Sequence, residues 1–594
     1  MTEASVPETP KVRWDLSALF ASPEDPGIEA AWKEAEAAVD AFAAKYRARV
    51  SDLTPDELTE AIAALEAIYV TVAKPLGYAG LLLAADSATA AIGAFYQAQQ
   101  ERGTGLSVKL LFFELELQKA EGIEPEGPYA HYVRTARALS PFRLSEPEEI
   151  VMEEFANTGS RAWDRLFDEL TSNHVFRIDG EDKTQQEVLT LLRDADRAVR
   201  AKAADALTAG LKEMERTLVF IYNTLLLDKA TEDRLRGLEY PEQGRHLSNE
   251  LERSTVDLVV ELCVENYPLV ARYYRVKQEI LGLDEMTHID RYAPLFDTEE
   301  KVSWEDGKGI VLGAFGAFSA EMEARAREFF DENWIDAETR KGKRGGAFCS
   351  YNTPDTHPVI LQSYQDRMDD VMTLAHELGH GVHASLSRGQ TYLNFHGTLP
   401  LAELASTFGE MLVFERLVAD ASPKDKLALY ADKVEGTFAT IFRQAAMFRF
   451  EQKAHHARRT TGEITAEEFG DLWQGELQGM FGDSVTLGEQ HRMWWSYVGH
   501  FIGTPFYVYA YSFGELLALA LYQRAKDEGA PFVDKYLSVL RLGGSETPQE
   551  LMAHLGIDLD DREFWLGGFR TMEGLVAEFE RLWAAYKGSE TRSV

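Results

Sequence analysis

The amino-acid sequence predicts a mainly α-helical protein with one small β-sheet, and three observations carry that prediction. Long stretches rich in Ala, Leu, Glu and Lys repeat their apolar residues every three to four positions, the period of helices buried on one face. Stretches with strand character are few and short. Apolar residues make up 45% and charged residues 27% of 594. These are ordinary values for a soluble globular chain, here long enough for a large body with a smaller appended lobe.

Residues 1–12 read as a loose polar tail, without the apolar centre of a signal peptide. Residues 27–119 predict two or three antiparallel helices. Pro125, Gly127 and Pro128 interrupt the pattern, and helix resumes until a strand-like run at 173–179, NHVFRID, that ends in a turn containing glycine. A long helix is expected over 184–233. Its Arg193, Arg197, Arg200 and Lys202 are interleaved with acids and predict a salt-bridged exposed face rather than a nucleic-acid site. Helices follow over 253–281 and 306–334. Gly345 to Ser350 and Pro358 to Gln362 predict two short strands, and a helix is expected over 371–386. Leu399-Pro400, with Thr398 as cap, opens a further amphipathic helix carrying Leu401, Leu404, Ala405, Phe408, Met411 and Leu412. Further helices are expected over 425–457, 465–480 and 512–587, the last broken at Gly543-Gly544-Ser545 and restarted at Ser545 or Thr547, followed by Pro548. The chain shows no internal repeat and no low-complexity segment.

Formal net charge is −37, from 61 basic and 98 acidic residues, which disfavours nucleic acid and anionic membrane as partners. Two cysteines, Cys263 and Cys349, are too few for a disulfide framework and suit a reducing compartment, so a cytoplasmic location is expected. No stretch reads as membrane-spanning. The most apolar region, 504–522, carries Glu515 and several tyrosines and reads as a buried helix.

The chemistry gathers on the helix at 371–386, VMTLAHELGHGVHASL. Residues four apart share a helix face, so His376 and His380 project together as two imidazole ligands of one metal ion. Glu377 is turned toward the side where a water on that metal sits, the place of a general base. Glu403, 23 residues beyond His380 on the next helix, completes a two-histidine, one-glutamate set. That set leaves a fourth position open, the arrangement of catalytic rather than structural zinc. Glu410 is either a hydrogen-bond partner of a ligand histidine or a solvated carboxylate. Gly345, Gly346 and Ala347, at the start of the first predicted strand, either let a peptide backbone approach or belong to a structural hairpin. The run at 493–513, MWWSYVGHFIGTPFYVYAYSF, surrounds His500 with Tyr507, Tyr509 and Tyr511. A core explains its Trp and Phe residues. A histidine and tyrosines suit donors to an oxyanion, and which tyrosine serves, Tyr507 or Tyr509, stays open.

These residues together resemble oligoendopeptidase F, of the thimet-oligopeptidase-like family of zinc metallopeptidases. Trp14-Asp15-Leu16 resembles the family's opening, and VFRIDGEDKTQQEV, DADRAVRAKAADAL and YNTLLLDKA its N-terminal lobe running into the catalytic domain. GKRGGAFCSYN and TLAHELGHGVHASLS resemble its strand and metal helix, and LAELASTFGEML its third-ligand helix. GHFIGTPFYVYAYSFGELLALALY and LGGSETPQELMAHLGIDLDDREFW resemble its last segments. The resemblance implies an elongated zincin-type body with a deep substrate channel and a small β-sheet beside the metal helix. It implies an N-terminal lobe over 13–195 and a catalytic domain over 196–594. It implies one Zn²⁺ ion on His376, His380 and Glu403, and short oligopeptides as substrates. His383 matches a family histidine and is expected to support the ligands. The implied mechanism has Glu377 activating water, with His500 and Tyr507 or Tyr509 sharing the developing charge. Rival readings are a carboxypeptidase or dipeptidase on the same scaffold, a hydrolase of non-peptide amides, and a non-catalytic peptide-binding protein with a vestigial metal site. Oligomeric state is not legible.

Overall fold

A computed structural model describes residues 11–120, 122–296 and 301–590. The expected tail at 1–12 therefore lies outside the described residues except for its last two. The chain forms two compact units, each assembled from separated stretches: residues 1–141, 299–420 and 521–558 in one, and 142–298, 421–520 and 559–594 in the other.

The first unit begins with three packed helices, Pro26–Tyr46, Pro55–Ala85 and Ala90–Lys119. Pro55–Ala85 is long and apolar enough to cross a membrane by length and composition, although the sequence is read above as having no membrane-spanning stretch. Here Leu58, Ile62, Leu65 and Ile68 join a core with Trp32, Val39, Phe42 and Phe113 of its neighbours. Thr54 and Glu57 cap its start reciprocally, satisfying N–H groups that lack partners within the helix.

The same unit contains a three-stranded sheet. Of five strands among the described residues, β1 (Phe176–Ile178) and β2 (Glu181–Lys183) form a hairpin in the other unit. β3 (Ile335–Asp336), β4 (Phe348–Ser350) and β5 (Val359–Leu361) form this sheet in the order β3-β5-β4. β5 is central and fully buried, parallel to β3 and antiparallel to β4, with Cys349 opposite Ile360. β4 is therefore an edge strand. Both β4 and β5 are shorter than the sequence predicts. Gly345, Gly346 and Ala347 precede β4 rather than belong to it, because Gly346 sits at φ +81°, outside extended backbone.

The metal-motif helix, Met368–Ser387, packs on β4, β5 and the helices Ala320–Asp331 and Ser406–Asp420. Asp370 at its third position accepts the N–H groups of Gln365 and Arg367 at 2.7 and 2.9 Å, and acids in the first turn suit the helix dipole.

In the second unit, Arg197–Arg236 packs on Phe442–Thr460 and on the 3₁₀ segment Glu489–Tyr497. Tyr222, Phe469, Trp495 and Phe501 build an aromatic core between them. The exposed charged face expected on the long helix is only partly present. Lys202 does pair with Asp179 at 2.7 Å. Arg200, however, is buried and reaches the fully buried Asp290, which also takes a two-pronged contact from Arg197 at 2.8 and 2.9 Å.

Several helices predicted as continuous are broken. 425–457 divides at Ile441, 253–281 before Pro268, and 306–334 at Ser319, whose side chain caps the helix that follows. Of the two expected restarts, Ser545 and Thr547, the helix begins from Thr547, with a reciprocal cap to Glu550.

Candidate metal centre

His376, His380 and Glu403 come together in the first unit, with one potential ligand atom from each lying within 4.8 Å of the others. His376 Nε2 and His380 Nε2 are 3.2 Å apart, and Glu403 Oε2 lies 3.4 and 3.7 Å from them. Tetrahedral ligands at the usual zinc distances of about 2.0–2.2 Å stand roughly 3.3–3.6 Å from one another, so the three atoms fit one zinc ion.

The surroundings also favour a cation. Burial opposes charge on His376, but Glu410, Glu403 and Glu377 overcome it and raise that ring to about 10. His380, by contrast, is lowered to about 4 by burial and by the charge on His376. Two imidazoles among three carboxylates make a pocket for positive charge, whether carried by a proton or a metal.

Local packing explains how Glu403 arrives. The sequence predicts one continuous helix from Leu399. Instead a single turn, Leu399–Ala402, ends at Glu403, and Ser406–Asp420 begins afresh. Thr398 occupies the cap position, but its hydroxyl makes no hydrogen bond. The break lies directly on the metal helix at Gly379. A Cβ there would stand 2.4 Å from the Ala405 carbonyl oxygen and 2.5 Å from Ser406 Cα. Backbone seated this close carries Glu403 to the histidines, and Ser406 Oγ donates to Glu403 Oε2 at 2.7 Å. Glu410, one helix further along, accepts from His376 Nδ1 at 2.6 Å and fixes that ring with Nε2 toward the cluster.

Glu377 is 6% exposed. Burial pushes its carboxyl up to about 7, against the pull of His376 and of a hydrogen bond from the Cys349 backbone. That bond places β4 against the metal helix at the carboxylate. Gly345 and Gly346 have open space where a side chain would stand. His383 lies a turn beyond His380, half-buried and held neutral by burial, outside the three-residue cluster.

Two groups beside the cluster escaped the sequence reading. Tyr351 follows β4 and stacks on His396 at 4.6 Å, and its phenol is raised by burial, Cys349 and Glu403. The only available hint was position, since Tyr351 directly follows Ser350, the last residue of the predicted strand.

The aromatic segment belongs to the second unit. His500 Nε2 lies 3.3 Å from the Tyr511 hydroxyl, and its ring is 5.7 Å from that of Tyr507. Arg245 lies over Tyr507. Tyr509 points elsewhere. It is 1% exposed, and its hydroxyl is engaged by His246 Nδ1 at 3.0 Å and Asn249 Nδ2 at 2.8 Å. This corrects the expectation for Tyr509: alternate residues at a helix start face different ways, so Tyr507 and Tyr511 group with His500 while Tyr509 fills the core.

Two imidazoles and a carboxylate that leave one metal position free, with a desolvated acid on the adjoining residue, make hydrolytic chemistry at zinc the natural use of this centre. The set has the ligand pattern and helix spacing of a zincin-type metal centre. Residues 317–571 match the model of peptidase family M3, and residues 121–176 match that of oligopeptidase F. The chain is 28% identical over 396 residues to an oligoendopeptidase F homolog of Lactococcus lactis subsp. lactis (strain IL1403), covering 66% of this chain and 65% of that protein. It is 26% identical over 601 residues to oligopeptidase PepF of Bacillus subtilis (strain 168), covering 97% of this chain and 88% of that one. A solved protein of Chlamydophila abortus shares the fold, with a TM-score of 0.84 and 22% identity over 97% of this chain and 99% of that one. The chain thus matches peptidase family M3 and oligopeptidase F by family model, by relatives and by fold.

Proposed function

We propose that this chain is a zinc-dependent endopeptidase that hydrolyses internal bonds of short, unstructured peptides. The observation that carries the reading is the fit of His376, His380 and Glu403 to one zinc ion with the buried Glu377 adjoining. Zinc held there supplies Lewis acidity to a water and to a peptide carbonyl. The Glu377 carboxylate takes a proton from the attacking water and delivers it to the leaving amine. Glu410 orients His376, and Ser406 steadies Glu403. The edge of β4, with open space at Gly345 and Gly346, offers backbone groups to an extended peptide. His500, with Tyr507 and Tyr511, is proposed to donate to the developing oxyanion. A deep channel that excludes folded proteins, a cytoplasmic location, and the division into an N-terminal lobe over 13–195 and a catalytic domain over 196–594 belong to the same proposal.

The test is incubation of the zinc-loaded protein with a library of short peptides, read by mass spectrometry beside Glu377→Ala. Internal cleavages made by the wild type alone are expected, with zinc content equal in both proteins. Release of terminal residues one or two at a time would convert the reading to an exopeptidase. Cleavage by Glu377→Ala at wild-type rate would remove the general base from the mechanism.

A further inference from the structure

Acids outnumber bases by 98 to 61 in this chain, so a partly buried arginine should find a carboxylate easily, and buried charges are paired as a rule. Two such arginines of the second unit, Arg291 and Arg443, do not, and neither does the exposed Arg193 beside them. Arg443 donates from Nη1 to the Tyr292 hydroxyl at 2.9 Å. The guanidinium groups of Arg193 and Arg291 lie 4.9 and 4.4 Å from the centre of the Tyr292 ring. Arg291 also lies over Trp494 and hydrogen-bonds Tyr497. It is 4% exposed, and its Nε has no partner. Among the described residues none of the three forms an ion pair.

The acids nearby are already engaged. Glu435 takes Lys277 and the Tyr273 hydroxyl, and Asp290 takes Arg197 and Arg200. Among the described residues, the groups acting on Arg443 as counter-charge are the phenols of Tyr292, Tyr497 and Tyr274. Burial works to raise Tyr292, and Arg291, Arg443 and Arg193 overcome it and bring the phenol down to about 8. The three guanidinium groups therefore gather about one phenol rather than one carboxylate.

Access is graded. Arg193 is exposed, Tyr292, Arg443 and Tyr497 are half-buried, and Arg291 is buried. The cluster thus runs from an exposed arginine to a buried one. Planar guanidinium groups match the two oxygens of a carboxylate, and phenol hydroxyls can supply further donors.

We propose that Arg193, Arg291 and Arg443, with the hydroxyls of Tyr292 and Tyr497, form a carboxylate-binding site that takes a carboxylate of a bound peptide. Identifying the ligand as a peptide rests on the peptidase reading above. The carboxylate comes either from the peptide's C-terminus or from an acidic side chain, and the two sources share the recognition chemistry.

The test uses zinc-loaded Glu377→Gln protein and one fluorescent peptide in three forms: free C-terminus with an internal Glu, amidated C-terminus with the same Glu, and free C-terminus with Gln in its place. Anisotropy gives each Kd. Loss of one of the two carboxylates is expected to weaken binding at least tenfold, and which loss does so names the source. Adding Arg443→Gln, or the exposed Arg193→Gln should the first disturb folding, is expected to shrink that ratio toward one. Equal affinity for all three forms overturns the site, as does an undiminished ratio in both arginine variants or no binding of any form. Failure of the peptidase reading looks different: the preference persists in binding while the wild type cleaves none of the three. If wild-type protein cleaves all three with equal kcat/KM, the peptidase reading stands and the carboxylate site falls.

Discussion

Gly379 shows what one atom decides at the centre. It lies between Leu378 and His380 on the face that receives the backbone of Ala405 and Ser406. A methyl group there meets a main-chain carbonyl, which cannot swing aside as a side chain can. Gly379→Ala should therefore push back the turn carrying Glu403, lowering stability by about 1–3 kcal/mol and weakening zinc affinity at least tenfold, as read by competition with a chromogenic chelator. Unchanged zinc affinity would mean that the turn does not depend on this approach. The tyrosines divide in the same way. Tyr509→Phe removes a hydroxyl that His246 and Asn249 both use and should cost about 1–2 kcal/mol of stability with kcat preserved. Tyr507→Phe or Tyr511→Phe should lower kcat roughly a hundredfold with little change in KM. The reverse pattern would return the oxyanion role to Tyr509. The ligand histidines were legible because both lie on one helix, where spacing alone sets direction. Tyr509 was not, because the direction of a side chain in a loop leading into a helix depends on what packs behind it.

Among the elements, those whose stops are local were read well, and those stopped by tertiary contact were not. The restart before Pro548 is written in neighbouring residues. The break at Glu403 is made by a helix more than twenty residues earlier in the chain, which no periodicity could reveal. Arg200 was misread for the same reason: its acid, Asp290, lies on a distant loop. Asp290 holds Arg197 and Arg200 together and also accepts from Thr287, so Asp290→Ala leaves two arginines without their acid. A loss of about 3–5 kcal/mol is expected in urea unfolding. A loss below about 1 kcal/mol would show that solvent reaches the arginines and the pair is not buried in effect. The turn before Tyr509–Glu528 offers a pH-dependent counterpart. Phe506 holds φ +59°, a costly conformation for a non-glycine residue, and its N–H donates to the buried Glu451 at 2.8 Å. Burial pushes Glu451 up to about 8 although Arg245 and Lys229 pull against it. The folded chain thus holds a proton that an unfolded glutamate releases near 4.5. The stability linked to that proton is full below about pH 4.5 and is lost as pH rises through about 8. Wild type should lose stability relative to Glu451→Gln between about pH 5 and pH 8. Parallel denaturation midpoints for the two proteins across that range would show that Glu451 titrates alike in both states.

At the scale of the whole molecule, the mainly helical class was legible from composition and period. The two compact units were not, because each gathers three separated stretches and nothing in a linear pattern marks which distant stretches will share a core. The metal centre lies within a single unit, yet its parts come from both sides of a break in secondary structure: His376 and His380 from one helix, Glu403 from the turn before another. A metal that joins separate segments of the folded chain binds the unfolded chain poorly, so its binding energy adds to folding stability. Zinc at a hundred times its Kd should contribute about 2.7 kcal/mol. Removing it with a chelator should lower the Tm, and returning it should restore the original value. His380→Ala should show the chelated Tm with or without added zinc, since one histidine and one carboxylate hold the ion far less firmly than the full set. If zinc raised the Tm of His380→Ala as much as that of the wild type, the ion would be binding elsewhere, and the His376–His380–Glu403 cluster would lose its claim as the metal centre.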